Sequence, residues 1–369
     1  MIISWVFHLT LKKTNYKQMK KLNLIFVCLL LCMQTVFAQK AKNVIFMIGD
    51  GMGLNIIQAA LTVNGNQLTL TEFPVTGLQK TYSANDYTTD SGAAATAFAC
   101  GVKTNNYSIG VDAEGNKHSS ALKEAADAGF STGIVVTCAI THATPAAFYA
   151  HVDSRSDEEN IAIDFLSSNI DIAVGGGRKF FEQRKDGKNL TAELKTKGYQ
   201  IVSSVEEMEK TQGNKLIAFV ADKHPEQAKK GRNYLPKATE LAIDKLKTNE
   251  KGFFLMVEGS QIDWACHANN KKAAIAEVLD FDAAVKVALD FAKKDGNTLV
   301  VVTADHETGG VAIKKGDYNK NTVDIKFTQK QHTGVPVVVF AYGPGAETFT
   351  GWYENTKLKS KILKAMGLK

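Results

Sequence analysis

The chain has 369 residues, of which 44% are hydrophobic and 22% charged, a composition typical of a globular protein with a large buried core. Its formal net charge of +6 would favour nucleic-acid or membrane binding if the positive charge were spread along the chain. Five lysines and no acidic residue precede Ala38, however, so the remainder carries only +1. This nearly neutral body excludes a basic nucleic-acid interface and gives no sign of stable membrane association.

The first predicted segment is an export signal. Lys20 and Lys21 form its basic start, residues 22–33 form an apolar stretch too short to favour a membrane span, and Ala38 ends a cleavage site of small residues. These features predict that the mature protein is periplasmic or secreted and begins at Gln39.

The predicted domain division follows from that signal. Residues 1–38 are interpreted as a signal peptide with an upstream extension, because Met19 opens a conventional signal by itself, and residues 39–369 as one catalytic domain. A lipid anchor on Cys32 is the weaker alternative, because leucines precede it where processing prefers small residues.

Apolar strand-like runs alternate with helix-like segments through the rest of the chain. This alternation predicts an α/β fold with a mostly parallel central sheet and helices on both faces, whereas the order of the strands cannot be predicted. Strands are predicted at 43–49, 132–137, 171–174, 253–257, 298–304 and 335–340, and helices at 120–126, 238–247 and 273–293.

Acidic side chains directly follow three of the predicted strands. Asp50 follows the first strand, Glu258 follows residues 253–257, and Asp305 follows residues 298–304 together with His306. Ligand sites of open α/β sheets lie beyond the carboxyl ends of parallel strands, so these side chains are expected on one edge of the sheet.

Ser91 opens an alanine-rich run that is predicted to begin a helix. At that position its hydroxyl is expected to face a ligand rather than the core, beside free N–H groups that suit a phosphate. An ordinary N-cap serine is the alternative interpretation.

Further candidate ligands follow. Asp263 and His267 are four residues apart, so they share a face of a helical turn, and His332 precedes the predicted strand at 335–340. Each alone is explained by a hydrogen-bonded turn. Together with the acids they favour a metal centre, because a group of buried carboxylates needs a compensating cation.

Seven short motifs in a fixed order resemble those of the alkaline phosphatases, from about Lys42 to about Lys364. The resemblance implies a three-layer α/β sandwich and a homodimer. It also implies a compact bacterial type, because residues 311–330 are few compared with larger relatives, which insert an extra interface lobe there. The motifs lie at 49–53, 89–93, 141–145, 151–155, 257–263, 303–310 and 331–334.

The same resemblance implies three metal sites per chain, two for Zn²⁺ and one for Mg²⁺. Mixed imidazole and carboxylate ligands suit zinc, and oxygen ligands suit magnesium. The implied sets are Asp263, His267 and His332 for one zinc, Asp50, Asp305 and His306 for the second, and Asp50, Thr144 and Glu258 for magnesium.

The implied reaction is hydrolysis of small phosphate monoesters, with an alkaline optimum. Ser91 attacks phosphorus to form a phosphoserine, and water or a second alcohol then accepts the phosphoryl group, which gives hydrolysis or transphosphorylation. Arg155 holds two free phosphate oxygens through its planar fork, although a surface arginine would be the interpretation without the resemblance.

Two positions depart from the best-known bacterial pattern. His142 stands near the implied magnesium where relatives carry Asp or His, and we expect it to act through water. Trp264 stands where relatives carry Lys or His near the phosphate; packing of the site wall is the favoured interpretation, since an indole cannot form that ion pair.

Other functions are disfavoured by particular residues. The residues after Ser91 lack the pattern of sulfatases, and Arg155 and a serine nucleophile disfavour phosphodiesterases. A zinc-containing binding protein without activity would require an inert Ser91. Cys100, Cys138 and Cys266 remain after the leader, so at least one thiol is expected to be free, and Cys266 is a weak candidate zinc ligand.

Overall fold

The computed structural model describes residues 40–368, so the predicted signal peptide, its translation start and the cleavage site lie outside the described residues. Among the described residues, no helix combines the length and hydrophobicity needed to cross a bilayer.

Fourteen strands are assigned in the described part of the chain. They are β1 Asn43–Gly49, β2 Val75–Lys80, β3 Ser131–Ala139, β4 Ile172–Gly176, β5 Gln200–Val202, β6 Leu216–Ala221, β7 Phe253–Gly259, β8 Thr298–Thr303, β9 Glu307–Thr308, β10 Val311–Asp317, β11 Thr322–Phe327, β12 His332–Thr333, β13 Val337–Tyr342 and β14 Gly351–Glu354.

Twelve α-helices accompany these strands in the same part of the chain. They are α1 Leu54–Val63, α2 Ser91–Cys100, α3 Ala121–Asp127, α4 Ala143–Ala146, α5 Glu158–Phe165, α6 Arg178–Glu182, α7 Leu190–Thr196, α8 Val205–Lys210, α9 Leu235–Leu246, α10 Gln261–His267, α11 Lys271–Asp295 and α12 Lys357–Met366.

Ten strands form one central sheet, in the order β14-β2-β13-β8-β1-β7-β3-β4-β6-β5. Every neighbouring pair is parallel except the two that involve β13, which runs antiparallel to β2 and β8. The prediction of a mostly parallel sheet is confirmed. The strand order, which the sequence did not predict, puts β1 between β7 and β8.

The sheet separates two hydrophobic cores. Side chains of β1 alternate between them: Val44 and Phe46 pack into one core, whereas Ile45 and Met47 pack into the other. Because both faces of β1 are buried, its sequence is apolar throughout rather than alternating. Helices α2 and α12 cover the first face and α9 and α11 the second, which confirms the predicted layers.

The predicted element boundaries shift by a few residues. The strand predicted at 335–340 begins instead at Val337, since Pro336 has no N–H to donate to a neighbouring strand. The short segment at 311–330 forms the hairpin β10–β11, outside the central sheet.

Candidate metal centre and active site

The carboxyl ends of the central strands bring the predicted acidic residues together. Asp50 follows β1, Glu258 is the penultimate residue of β7, and Asp305 lies two residues after β8. The three side chains are fully buried. The site therefore forms at the edge of the sheet where the strand–loop pattern predicts it.

The first group, here called the inner cluster, consists of Asp50, Asp305 and His306, all 0% exposed. His306 Nε2 lies 3.2 Å from Asp305 Oδ2 and 3.6 Å from Asp50 Oδ1. Both carboxylate oxygens of Asp50 and one of Asp305 have no hydrogen-bond partner. Burial and the nearby charge of Asp305 raise the pKa of Asp50 well above its usual value. Such unpartnered buried oxygens fit a bound cation.

The second group, the outer cluster, consists of Asp263, His267 and His332. Helix α10 presents Asp263 and His267 from one face, and His267 Nε2 lies 3.3 Å from Asp263 Oδ1. His332 Nε2 lies 3.4 Å from the same oxygen and 3.0 Å from His267 Nε2. One ligand atom from each residue falls within 4.8 Å of the other two, a spacing compatible with one shared metal ion.

Backbone carbonyls orient the two histidines of the outer cluster. His332 Nδ1 donates to the carbonyl of Thr89 over 2.9 Å, and His267 Nδ1 donates to the carbonyl of Lys330. A proton held on Nδ1 leaves the lone pair of Nε2 directed at the centre of the cluster, which is the form that binds a metal. No sequence pattern predicts these two carbonyls, because each is distant along the chain from the histidine that it contacts.

The third group, the oxygen cluster, consists of Asp50, Thr144 and Glu258. Thr144 Oγ1 and Glu258 Oε1 are buried without hydrogen-bond partners, as are both oxygens of Asp50. Burial raises the pKa of Glu258 to about 7. The donor set is one of hard oxygen atoms, which suits a magnesium ion.

Two further residues approach Glu258. Cys138, which no sequence motif placed at the site, donates from its thiol to Glu258 Oε2 over 3.4 Å, and Ser260 Oγ donates to the same oxygen over 2.7 Å. His142, Cys138 and Glu258 also form a group with ligand atoms within 4.8 Å of one another. The surroundings of Glu258 are thus not made of oxygen atoms alone, as the expected ligand set had suggested.

Ser91 is the first residue of α2, and the helix cap is its neighbour. Asp90 Oδ1 accepts a hydrogen bond from the backbone N–H of Ala93 over 2.9 Å, so the alternative that Ser91 is the N-cap is wrong. Ser91 Oγ lies 3.4 Å from His306 Nε2 and the residue is 2% exposed. Its hydroxyl therefore lies beside the inner cluster, inside the site rather than on its surface.

Arg155 lies beside Ser91 rather than free on the surface. Its guanidinium donates from Nη1 to Asp90 Oδ2 over 2.8 Å, and Nη2 lies 3.4 Å from His142 Nε2. Asp90 therefore both caps the helix of Ser91 and holds Arg155. Burial, followed by the positive charge of Arg155, lowers the pKa of His142 to about 3, so that this imidazole stays neutral.

Trp264 packs in an aromatic group at the site wall. Its ring centroid lies 5.8 Å from that of His142 and 4.9 Å from that of His224, both in edge-on contacts. His224, which no sequence motif placed at the site, accepts a hydrogen bond at Nδ1 from the backbone N–H of Ala139 over 3.1 Å. This environment agrees with the packing role expected for Trp264.

The loop after β1 is held close to the outer cluster by two glycines. Gly51 has a left-handed backbone, with φ at +70°, and a Cβ there would lie 2.8 Å from the Cα of Asp263. A Cβ on Gly53 would lie 2.1 Å from the Glu307 side chain. Larger residues at either position would displace the loop that carries Asp50.

The three cysteines of the described residues are free and buried, in agreement with the expected free thiol. Burial raises the pKa of Cys266, and none of the candidate metal-binding groups among residues 40–368 includes it. The weak alternative of a zinc ligand at Cys266 therefore has no support.

Comparisons with known proteins identify the family. The family model described as alkaline phosphatase matches residues 41–325 and 313–368. Alkaline phosphatase 4 of Bacillus subtilis is 38% identical, covering 88% of this chain and 88% of the relative, and alkaline phosphatase of Escherichia coli is 34% identical, covering 89% and 87%.

Solved structures agree with that match. The alkaline phosphatase of the Antarctic bacterium TAB5 has a TM-score of 0.85 at 42% identity, covering 90% of this chain and 99% of the other. The alignment with the Bacillus subtilis relative runs over 410 positions, more than the 369 residues of this chain, so that relative contains segments that are absent here. The chain belongs to the alkaline phosphatase family, and it is accordingly a metal-binding hydrolase of phosphate monoesters.

Proposed function

We propose that this chain hydrolyses phosphate monoesters through a covalent phosphoserine on Ser91, with two zinc ions and one magnesium ion per chain. One observation carries the proposal: Ser91 Oγ lies 3.4 Å from His306 Nε2, at the border of a buried cluster in which three of the four carboxylate oxygens have no hydrogen-bond partner. A hydroxyl at that position is poised to become a nucleophile when a cation occupies the cluster.

The residues present fit the proposed metals. The inner and outer clusters each combine carboxylate and imidazole groups, as zinc prefers, although the ligand atoms that lie within 4.8 Å of one another at the inner site come from Asp50, His306 and Asp263 rather than from Asp305. The oxygen cluster offers the hard donors that magnesium prefers. Asp50 belongs to both the inner and the oxygen cluster. When bound, the metals supply positive charge that stabilises the attacking and leaving oxygens. A solved histidine-to-aspartate variant of the TAB5 enzyme contains magnesium, a precedent in a relative.

Ser91 carries the group-transfer step. Its hydroxyl gives up its proton and its oxygen forms a bond to phosphorus while the bond to the leaving oxygen breaks, and the departing alkoxide takes up a proton. Water then gives up a proton and forms a bond to phosphorus while the bond between phosphorus and Ser91 Oγ breaks, so that inorganic phosphate leaves and Ser91 takes up a proton. An alcohol in place of water gives a new phosphate ester, which accounts for transphosphorylation. At alkaline pH the attacking water is deprotonated more readily, which favours turnover.

Arg155 is proposed to orient the phosphoryl group. Asp90 already holds one guanidinium nitrogen at 2.8 Å, so the planar fork is fixed beside Ser91 before substrate arrives. A monoester has three non-bridging oxygens and a diester has two. If the metal clusters engage one of them, a monoester leaves two oxygens for such a fork, whereas a diester leaves only one. Arg155 therefore favours monoesters. His142 and Trp264 are proposed to support this region by contact with Arg155 and with each other.

The decisive experiment traps the phosphoserine. Labelled inorganic phosphate at mildly acidic pH should phosphorylate the wild type, and peptide mapping should find the label on Ser91. Ser91→Ala should lose both the label and the transfer product in an amino-alcohol buffer, whereas Ser108→Ala, on the adjacent loop, should keep both. Label on another residue, or no label in active enzyme, would contradict the covalent mechanism.

A second experiment tests Arg155. Arg155→Ala should lower kcat/KM for a monoester by roughly 10²-fold or more, at about 1.4 kcal/mol per tenfold, and lower diester hydrolysis far less. Equal losses on the two substrates would show that Arg155 has only a structural role.

We also propose that the protein is exported and forms a homodimer. The basic start at Lys20 and Lys21 and the small residues before Gln39 support export. Mass spectrometry of the exported protein should find Gln39 at the N-terminus; an intact leader or a lipid on Cys32 would contradict it. Sedimentation of the purified protein should give twice the mass of one chain, and a monomer at all concentrations would exclude the dimer.

A further inference from the structure

Tyr107 has an unusual backbone for its side chain. Five residues other than glycine have positive φ angles in the described part of the chain, and four of them are asparagines. Asparagine tolerates this left-handed region, whereas a bulky aromatic residue does so only at a cost in energy. Tyr107, with φ at +74°, is the exception.

The backbone around Tyr107 is fixed between the two loops that carry Ser91 and Arg155. The carbonyl of Tyr107 accepts a hydrogen bond from the backbone N–H of Arg155 over 2.7 Å. On the other side, Asn106 Oδ1 accepts one from the backbone N–H of Asp90 over 3.0 Å. These bonds place Tyr107 between the segments of Asp90 and Arg155, and therefore close to the active site.

The side chain of Tyr107 makes no polar or ring contact with the described residues that would offset this cost. The residue is 63% exposed, and its ring makes no hydrogen bond or ring contact with any of residues 40–368. Glycine or asparagine would provide the same backbone without strain. A strained residue with an exposed aromatic ring beside reacting groups indicates a role in contacting a ligand.

We propose that Tyr107 determines specificity for the leaving group, by stacking on aromatic phosphate monoesters such as aryl phosphates and nucleoside monophosphates. The proposal rests on the proposed function of Ser91 and Arg155. These residues and the metal clusters contact the phosphoryl group, so the leaving group, which lies opposite Ser91 Oγ in line with the transferred phosphorus, projects towards the rim. An exposed tyrosine there offers a flat face to an aromatic ring and little to a small alkyl group.

The test compares leaving groups. We would measure kcat/KM for phenyl phosphate and adenosine 5′-monophosphate against glycerol phosphate, in wild type, Tyr107→Asn and Tyr107→Phe. Tyr107→Asn removes the ring and tolerates the backbone, whereas Tyr107→Phe keeps the ring. Tyr318→Asn, which removes another exposed tyrosine, from the turn of the β10–β11 hairpin, is the matched control.

We expect Tyr107→Asn to lower kcat/KM for the two aromatic substrates about five- to twentyfold and for glycerol phosphate less than twofold. Tyr107→Phe and Tyr318→Asn should stay within twofold of wild type on all three. Inhibition by inorganic phosphate, which has no leaving group, should be unchanged in Tyr107→Asn.

Two results would overturn the proposal. Equal losses on aromatic and alkyl substrates in Tyr107→Asn would mean that Tyr107 only shapes the loop of Arg155, and no loss on any substrate would mean that the ring contacts no leaving group. Failure of the proposed function itself is distinguishable, because the wild type would then form no phosphoserine on any of the three substrates.

Discussion

The inner and outer clusters use similar ligands but differ in their access to solvent. In the inner cluster, Asp50 and His306 are completely buried, whereas in the outer cluster the side chains of His267 and His332 are 32% and 15% exposed. Three of the four carboxylate oxygens of the inner cluster have no hydrogen-bond partner, while the outer histidines are held by backbone carbonyls and are partly exposed. We therefore expect the buried inner cluster to depend on a bound metal for its stability and the outer cluster to exchange a metal more readily.

The two clusters nevertheless touch. The rings of His306 and His332 stack with centroids 3.5 Å apart, and Thr308 Oγ1 donates to Asp263 Oδ1 over 2.5 Å while lying 3.2 Å from His306 Nδ1. Thr308, which the sequence analysis did not single out, thus joins a residue of each cluster. The difference in solvent access is maintained over a very short distance.

The largest effect should come from metal removal. A chelator should abolish activity, and zinc together with magnesium should restore it better than either alone. Because the outer cluster is open to water, we expect metal loss in two phases, with activity falling in the first. Elemental analysis during chelation measures this. Loss of all metals in one phase would break the distinction between the clusters, and one metal per fully active chain would contradict three sites.

The next largest effects should come from substitutions, which should differ between the two clusters in their loss of activity and in their rescue by zinc. Asp50→Asn should lower kcat/KM on the order of 10³-fold and resist rescue by added zinc, because Asp50 is proposed to bind two metals. His267→Gln should lose about 10²-fold and recover in excess zinc, since its site is accessible. Steady-state kinetics over a zinc series measures both, with His118→Gln, a histidine outside the clusters, as control. Equal recovery of the two variants would remove the distinction.

Replacement of the neighbouring His142 should lower activity less than replacement of Asp50. If His142 acts through water, His142→Ala should cost only about 10- to 100-fold in activity, the range of residues that support metal ligands indirectly. A loss in kcat/KM as large as that of Asp50→Asn would mean that His142 binds the metal directly.

The substitution Asp50→Asn, which should lower activity, should by contrast raise the stability of the metal-free protein. Asp50→Asn should raise its unfolding free energy by about 1–3 kcal/mol, because it replaces an unpartnered buried carboxyl with a neutral amide. His267→Gln should change it by less than about 0.5 kcal/mol. Since the folded pKa of Asp50 is raised, the folded state binds the proton more tightly, and wild-type stability should fall as pH rises above the unfolded pKa. Urea unfolding with chelator at two pH values tests this; a destabilised Asp50→Asn would contradict it.

The smallest effect concerns Asp90, which holds Arg155 next to both clusters. Asp90→Asn keeps the helix cap but weakens the ion pair, so inhibition by phosphate should weaken about three- to tenfold with little loss of stability. Asp90→Ala should lose a further ~1 kcal/mol of stability with the cap. Inhibition constants and thermal unfolding measure the two effects. Unchanged phosphate inhibition in both variants would show that the pair does not position Arg155.

Local patterns predicted much of the fold and part of the site. Two features could be predicted from local sequence, because strand ends and helix turns are short-range features. They are the apolar run of β1 followed by Asp50 and the four-residue spacing of Asp263 and His267. The identity of the helix cap was missed, since Asp90 and Ser91 are both good caps and only the backbone angles distinguish them.

The remaining features depend on contacts between distant segments. Cys138 and His224 reach the site because β3 lies beside β7 and because a loop folds back over Ala139, and neither has a sequence signature. The strand order is equally invisible, since several orders bury the same apolar strands. The resemblance to known motifs supplied the ligand sets that spacing alone left open.

The position of β1 in the sheet has a consequence for the order of folding. Val44 pairs with Phe254 on one side and with Leu299 on the other, so the strand that leads into Asp50 meets its neighbours only after more than half of the chain has been synthesised. Contacts this distant in sequence close slowly. A chain that ends before Phe253 lacks both partners of β1, and the metal centre therefore forms late, when the last third of the protein arrives.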